Sequence, residues 1–275
     1  MQTAIYRIPD MTEPLDVYEF ADVEILDTEP YGSEIKTTEF HPSNSSLVAS
    51  VVDGKVLLFN RTESKSQVVA EITGKKLSGG MWSNASQFVA LYENGIRSFD
   101  IRDPNHVAWQ IDDAHSQPVR DLDVNPNKAF HIATGGDDAV LKIFDVRNVK
   151  EPVFSRRDHL HWIFSVSFNK FHDQLILTSS SDGKVLLTCA SSCSSEAPKA
   201  VNIQQDEEDE IEEFHHKTKK THLSDGLLET FEQHEESVYC VEWSAADPWI
   251  FASVSYDGRV IISRIPKKYK YQILL

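Results

Sequence analysis

The chain is poor in cysteine, short of basic residues relative to acidic ones, and contains no long apolar run. Its three cysteines, Cys189, Cys193 and Cys240, are odd in number and form no disulfide framework, which fits a reducing compartment. Cys189 and Cys193 stand four apart, but no second ligand pair follows at zinc-site spacing, so no metal ligand is expected. Lys and Arg number 27 against 43 Asp and Glu, a formal net charge of −16. That balance argues against sequence-independent nucleic-acid binding, which needs clustered cations, and against docking on anionic lipid by charge alone. No stretch reaches the roughly 18 consecutive apolar residues of a membrane-spanning helix. The opening "MQTAIYRIPDMTEP" lacks the basic segment and apolar core of a secretory leader. Nucleophile-elbow, zinc-protease, phosphate-loop and dinucleotide motifs are missing too, so no catalytic residue and no cofactor are expected.

What is present is a repeat. "VDGKVLLFN" (52–60), "ENGIRSFD" (93–100), "DDAVLKIFD" (137–145), "SDGKVLLT" (181–188) and "YDGRVIIS" (256–263) align on the third residue of a turn: Gly54, Gly95, Ala139, Gly183 and Gly258. Successive spacings are 41, 44, 44 and 75. Before each of the last three turns stands an alternating run, "VRDLDVN", "IFSVSFN" or "VYCVEWS", with the period of a strand that buries one face. A break, a second apolar run, a two-residue Asp-Gly type turn and a third run complete the unit, and a fourth strand lies in the connection. About 44 residues and four strands per unit describe an all-β, WD-repeat β-propeller blade.

"AIYRIPDMTEPLDVYEF" (4–20) aligns without a gap on "KIFDVRNVKEPVFSRRD" (142–158), so the chain is expected to begin in the third strand of a blade and to lack an N-terminal portion. The expected organisation is therefore 1–33, trailing strands of an incomplete blade; 34–190, four blades; 191–228, an insertion; and 229–275, the last blade and a C-terminal tail, about five and a half blades in all. Within the insertion, "DEEDEIEE" (206–213) holds seven acids in eight positions and is read as a disordered loop, beside whose charge "HHKTKK" (215–220) is self-neutralising.

Carboxylates recur in these units, and recurrence decides how they are read. A His before the first strand, a hydroxyl on the second and an Asp in the turn can join in a buried hydrogen-bonded chain. The three sets are His115, Thr134 and Asp138; His159, Thr178 and Asp182; and His234, Ser253 and Asp257. An Asp–His pair resembles a catalytic dyad, but one copy per blade marks architecture. Where a WD blade would end the chain with a tryptophan stand Phe144, Thr188 and Ser263. "FDIR" and "FDVR" place Arg102 and Arg147 two residues after Asp100 and Asp145. Each arginine either braces its own strand or docks a partner carboxylate.

The stretches 113–153 and 232–275, with "VRDLDVNPNK", "SAADPWIFASVSYDGR" and the terminal "KYQILL", resemble the family of WD-repeat proteins that interact with the endosome-associated recycling protein (EARP) complex. The resemblance implies a non-catalytic, seven-bladed propeller. It further implies binding to the EARP and Golgi-associated retrograde (GARP) tethering complexes, and a cytoplasmic chain, monomeric apart from them, peripheral at endosomes and the trans-Golgi network. Endosomal recycling, retrograde traffic and dense-core vesicle cargo sorting would follow. The alternative is a substrate receptor of a cullin-type ubiquitin ligase, docked through the FDxR motifs.

Overall fold

The structure is a computed structural model that describes residues 2–8, 23–61, 66–73, 76–103, 106–195 and 223–274. The chain divides into two compact units, Met1–Leu122 and Asp123–Leu275.

In the first unit β1 (Thr3–Tyr6) pairs antiparallel with β2 (Val23–Leu26). Two four-stranded meanders follow. One is β3 (Ile35–His41), β4 (Asn44–Val52), β5 (Lys55–Arg61) and β6 (Ser66–Thr73); the other is β7 (Leu77–Trp82), β8 (Gln87–Tyr92), β9 (Gly95–Asp100) and β10 (Val107–Ile111). The strand β11 (Val119–Val124) carries the chain into the second unit. It begins the sheet of β12 (His131–Gly136), β13 (Leu141–Asp145) and β14 (Phe154–Arg156). Next come β15 (Ile163–Phe168), β16 (Leu175–Ser180), β17 (Val185–Cys189) and β18 (Gly226–Phe231), and then β19 (Val238–Trp243), β20 (Ile250–Ser255) and β21 (Val260–Arg264). Each sheet runs in chain order, and these are the blades of an all-β, WD-repeat β-propeller. One helix, α1 (Lys267–Leu274), ends the described chain.

Within each unit the cores lie between consecutive sheets. In the second unit Leu175, Leu177, Val185 and Leu187 of the fourth blade pack with Val241, Trp243 and Phe251 of the fifth. The middle strands β12 and β16 are buried along their whole length, which is why "HIATGG" and "LILTSS" read as runs of small and apolar residues rather than alternating ones. The helix α1 seals this core through Tyr269, which is buried and donates its hydroxyl to the Leu228 carbonyl in β18.

Three features depart from the sequence reading. The first strands do not keep a strict period of two. Their ladders slip between Ile35 and Thr37, Leu77 and Gly79, Ile163 and Ser165, and Val238 and Cys240. Such a bulge adds a residue, so Ile163 and Val166, or Val238 and Val241, face the core three apart instead of two. Next, the hairpin turns are of two kinds. Val52 pairs with Lys55 around Asp53 and Gly54, both at positive φ, the expected two-residue turn. In the last three blades the loop has three residues, with only its third, Ala139, Gly183 or Gly258, at positive φ.

The third departure concerns 191–228. Ser191–Cys193 forms a short 3-10 turn with Cys193 buried, and β18 begins at Gly226 as the fourth strand of the fourth blade. Ser191 and Ser192 donate to Asp225 at 2.8 and 2.5 Å and bring the two ends together. The acidic run and "HHKTKK" lie outside the described residues.

One register position appears covered in one blade and open in another. Leu187 is fully buried, whereas Ile262, at the matching place in β21, is 66% exposed. Leu187→Ala is expected to cost about 2–5 kcal/mol, and Ile262→Ala less than about 1 kcal/mol. Chemical denaturation followed by circular dichroism measures both, and equal losses would contradict this packing.

Candidate functional site

The aspartates of the turns are the first group to place. In the fourth blade His159 Nδ1 lies 3.0 Å from Asp182 Oδ2, and His159 Nε2 lies 2.8 Å from the Thr178 hydroxyl. In the fifth, His234 repeats this with Asp257 at 3.1 Å and Ser253 at 2.8 Å. A carboxylate only accepts, so Nδ1 carries a proton in each pair. The same carboxylate also accepts backbone donors: Leu160 and Lys184 N–H reach Asp182 at 3.0 and 3.1 Å, and Glu235 and Arg259 N–H reach Asp257 at 3.2 and 2.8 Å. The turn aims the Asp side chain back at the loop that enters the blade. Both pairs are almost wholly buried.

Burial is the largest single influence on Asp182 and opposes its ionisation. Hydrogen bonding and charge from His159, with the Leu160 and Lys184 N–H groups, outweigh it and lower the carboxyl to about 2. Asp257 is lowered for the same reasons.

The third-blade set is placed as follows. His115 is buried, and its backbone N–H donates to the Asn94 carbonyl at 3.0 Å. Thr134 is buried in β12, and Asp138 accepts the Val140 N–H at 3.2 Å. At the last position of each set Phe144 and Thr188 are buried, and Ser263 donates to Gln233 at 2.7 Å.

Asp53 belongs with the turn carboxylates and was not singled out in the sequence. It accepts Ser33 and Glu34 N–H at 2.7 and 3.0 Å, which holds its carboxyl below the usual range without any histidine. "VDGK" shares its Asp-Gly-Lys with "SDGK", and that was the available signal. A Cβ at Gly32 would collide with this carboxylate, so glycine is required there by close approach.

The two arginines are committed to their own strands. Arg102 donates from its backbone N–H, Nε and Nη2 to Asp100 at 2.9, 2.9 and 2.5 Å. Arg147 does the same to Asp145 at 2.9, 2.9 and 2.6 Å, and its guanidinium also lies 3.5 Å from the centre of the Phe130 ring. Hydrogen bonding from the arginine brings each of these carboxyls to about 2. Cys189 and Cys193 are buried free thiols, and burial pushes Cys189 up to about 11. Among the described residues no three His, Cys, Asp or Glu side chains converge as metal ligands.

One feature escaped sequence reasoning altogether. His161, Trp162, Phe164, Tyr239 and Tyr256 form a continuous row, with successive ring centres 4.8, 6.3, 4.9 and 6.2 Å apart. Phe164 and Tyr239 are stacked within 12° of parallel. Each is the extra residue of its strand's bulge, which turns it away from the core. The outward side of an alternating strand is ordinarily polar, and aromatic residues there were the available clue.

Comparison with known proteins follows from this geometry. The family described as "EIPR1 beta-propeller" matches residues 31–188, more than half of the chain, and "WD domain, G-beta repeat" matches 226–262. The chain belongs to the EIPR1 β-propeller family. It is 43% identical over 238 residues to "EARP and GARP complex-interacting protein 1" of Rattus norvegicus, covering 83% of this chain and 61% of that protein. It is 42% identical over 261 residues to "EARP-interacting protein homolog" of Danio rerio, covering 91% and 67%. It is 29% identical over 276 residues to "WD repeat-containing protein DWA2" of Arabidopsis thaliana, covering 95% and 71%. The chain thus spans about three fifths of the length of its rat relative.

Asp182→Asn tests the turn carboxylate. Its folded pKa is depressed, so its contribution is present above the unfolded value near 3.8 and is lost as pH falls toward about 2. The variant is expected to be less stable at pH 7 by about 1–2 kcal/mol, after allowance for solvent screening. Urea midpoints between pH 7 and pH 2 should show the gap closing over the last two units. A gap that stays constant across that range would exclude the carboxylate's charge as its source.

Proposed function

We propose that the chain is a non-catalytic interaction module that binds the EARP and GARP complexes. The observation that carries this reading is the family match over 31–188, together with relatives whose names state that interaction. The geometry is consistent with it. The His–Asp pairs resemble catalytic dyads in sequence, but each is buried, repeated from blade to blade, and saturated by backbone donors and a neighbouring hydroxyl. A general base must reach a substrate's proton with a free lone pair, and the buried His159 and His234 have Nε2 engaged by the Thr178 and Ser253 hydroxyls. No described helix is long and apolar enough to cross a membrane. On this reading the chain reaches endosomes and the trans-Golgi network through its protein partners and supports recycling, retrograde traffic and dense-core vesicle cargo sorting there.

Arg102 and Arg147 serve in this proposal as braces. A docking arginine needs its fork free for the partner's carboxylate, and both forks already lie on an aspartate two residues back. That weakens the ubiquitin-ligase receptor reading, which depends on them.

Capture of purified EARP and GARP complexes on the immobilised chain tests the proposal. Retention of either complex above a control propeller is expected, and absence of both would overturn the reading. Arg102→Ala with Arg147→Ala should change capture by less than about twofold, the scale of a surface ion pair. A loss beyond about tenfold would make them contact residues instead.

A further inference from the structure

We infer that the row Trp162, Phe164, Tyr239 and Tyr256 is a docking surface for an arginine-bearing segment of a protein partner. Four observations carry it, all within the second unit. The row is exposed: Tyr256 is 76%, Tyr239 49% and Trp162 40% accessible, and Leu160 beside them is 81% accessible. Exposed aromatic clusters of this kind are costly to leave in water and typical of interface centres. The rings are also held in place. Bulges in β15 and β19 extrude Phe164 and Tyr239, and the backbone N–H of Tyr256 donates to the Ser237 carbonyl at 3.0 Å. A surface already fixed loses little entropy on binding.

The stack has an open end. That end is Tyr256, 76% exposed, which follows Tyr239 in the row, and a planar guanidinium laid on its ring would continue the row. The chain already uses this contact elsewhere, with Arg147 lying 3.5 Å from the Phe130 ring centre.

A carboxylate lies on the loop that is hydrogen-bonded to the Tyr256 turn. Glu236 is exposed, and among the described residues no cation pairs with it, whereas its neighbour Glu235 is paired with Arg259 at 3.0 Å. Its loop is tied to the Tyr256 turn, since the Ser255 hydroxyl donates to the Glu236 carbonyl at 3.0 Å. Ring faces and a free carboxylate select a cation, and the net charge of −16 draws one in from a distance. Arginine satisfies both groups at once, stacking with its plane and donating from its edge.

This surface goes beyond the tethering proposal and is tested separately from it. The probe is a twelve-residue Gly/Ser peptide with a central Leu-Arg-Leu, compared with the same peptide carrying citrulline, which keeps the plane and loses the charge. Isothermal titration of the full chain is expected to show the arginine peptide binding about tenfold or more tighter. Tyr239→Ala should weaken it about tenfold and Tyr239→Phe should restore it, while Glu236→Gln should cost about three- to fivefold. If Tyr239→Ala fails to fold, Tyr256→Ala, at a far more exposed ring, replaces it. Equal binding of the two peptides would mean an apolar site and overturn the inference. So would no binding of the arginine peptide, or affinity unchanged in the tyrosine variants. A chain that binds the peptide but neither complex would keep this surface and sink the tethering reading.

Discussion

The constraint on which the blades depend is a turn carboxylate that must be satisfied, buried at Asp182 and Asp257 and exposed at Asp53. Asp53, Asp182 and Asp257 each sit in a hairpin turn, and each accepts N–H groups of the loop that enters the same blade. One side chain thereby fixes three things: the turn, the approach of the incoming loop and the start of the first strand. Leaving such a group unsatisfied would cost several kcal/mol, so the loop has one place to go. Histidine is an addition in the fourth and fifth blades, tying the same carboxylate to a hydroxyl on the middle strand. The blade around Asp53 shows that the clamp works without it.

Much of this was legible in the residues. The spacing of the turns gives the blade number and size because a strand meander of fixed length must repeat its turn chemistry. The partners of His159 and His234 followed from their place in the repeat. The bulges were not legible, since "IFSVSF" and "VYCVEW" satisfy an alternating template well enough to hide one extra residue. Only the pairing across the sheet shows that Phe164 and Tyr239 have no partner. The same blindness applies to β18. Its partner β17 precedes it by a long connection, and no local signal says which sheet a strand after an insertion will join. The helix α1 is short and rich in lysine and tyrosine, and it is held by the buried Tyr269 rather than by helix propensity.

A bulge has two consequences in this fold, and they are linked. It lets two apolar residues three apart, such as Ile163 and Val166, enter the core from one strand. The residue it displaces must then face outward. In the first unit the displaced residues are Lys36 and Ser78, which water accommodates; in the fourth and fifth blades they are Phe164 and Tyr239. The same backbone device therefore yields plain surface in some blades and a stacked aromatic row in others. Side-chain identity at one position per blade decides which.

Charge divides in a similar way. Asp53, Asp100, Asp145, Asp182 and Asp257 all have carboxyls held below their ordinary range because donors already occupy them. They remain ionised at neutral pH and count toward the net −16, yet their lone pairs are engaged inside the blades. Two further residues, Arg102 and Arg147, spend their forks on this internal set. If the aromatic row docks an arginine, close-range selection falls to carboxylates outside this set. Among those Glu236 stands out for its position, since its loop is hydrogen-bonded to the turn that presents Tyr256. The repeat separates carboxylates by place: Asp53, Asp182 and Asp257 accept the loop that enters their own blade, whereas Glu236, off that template, pairs with no cation among the described residues.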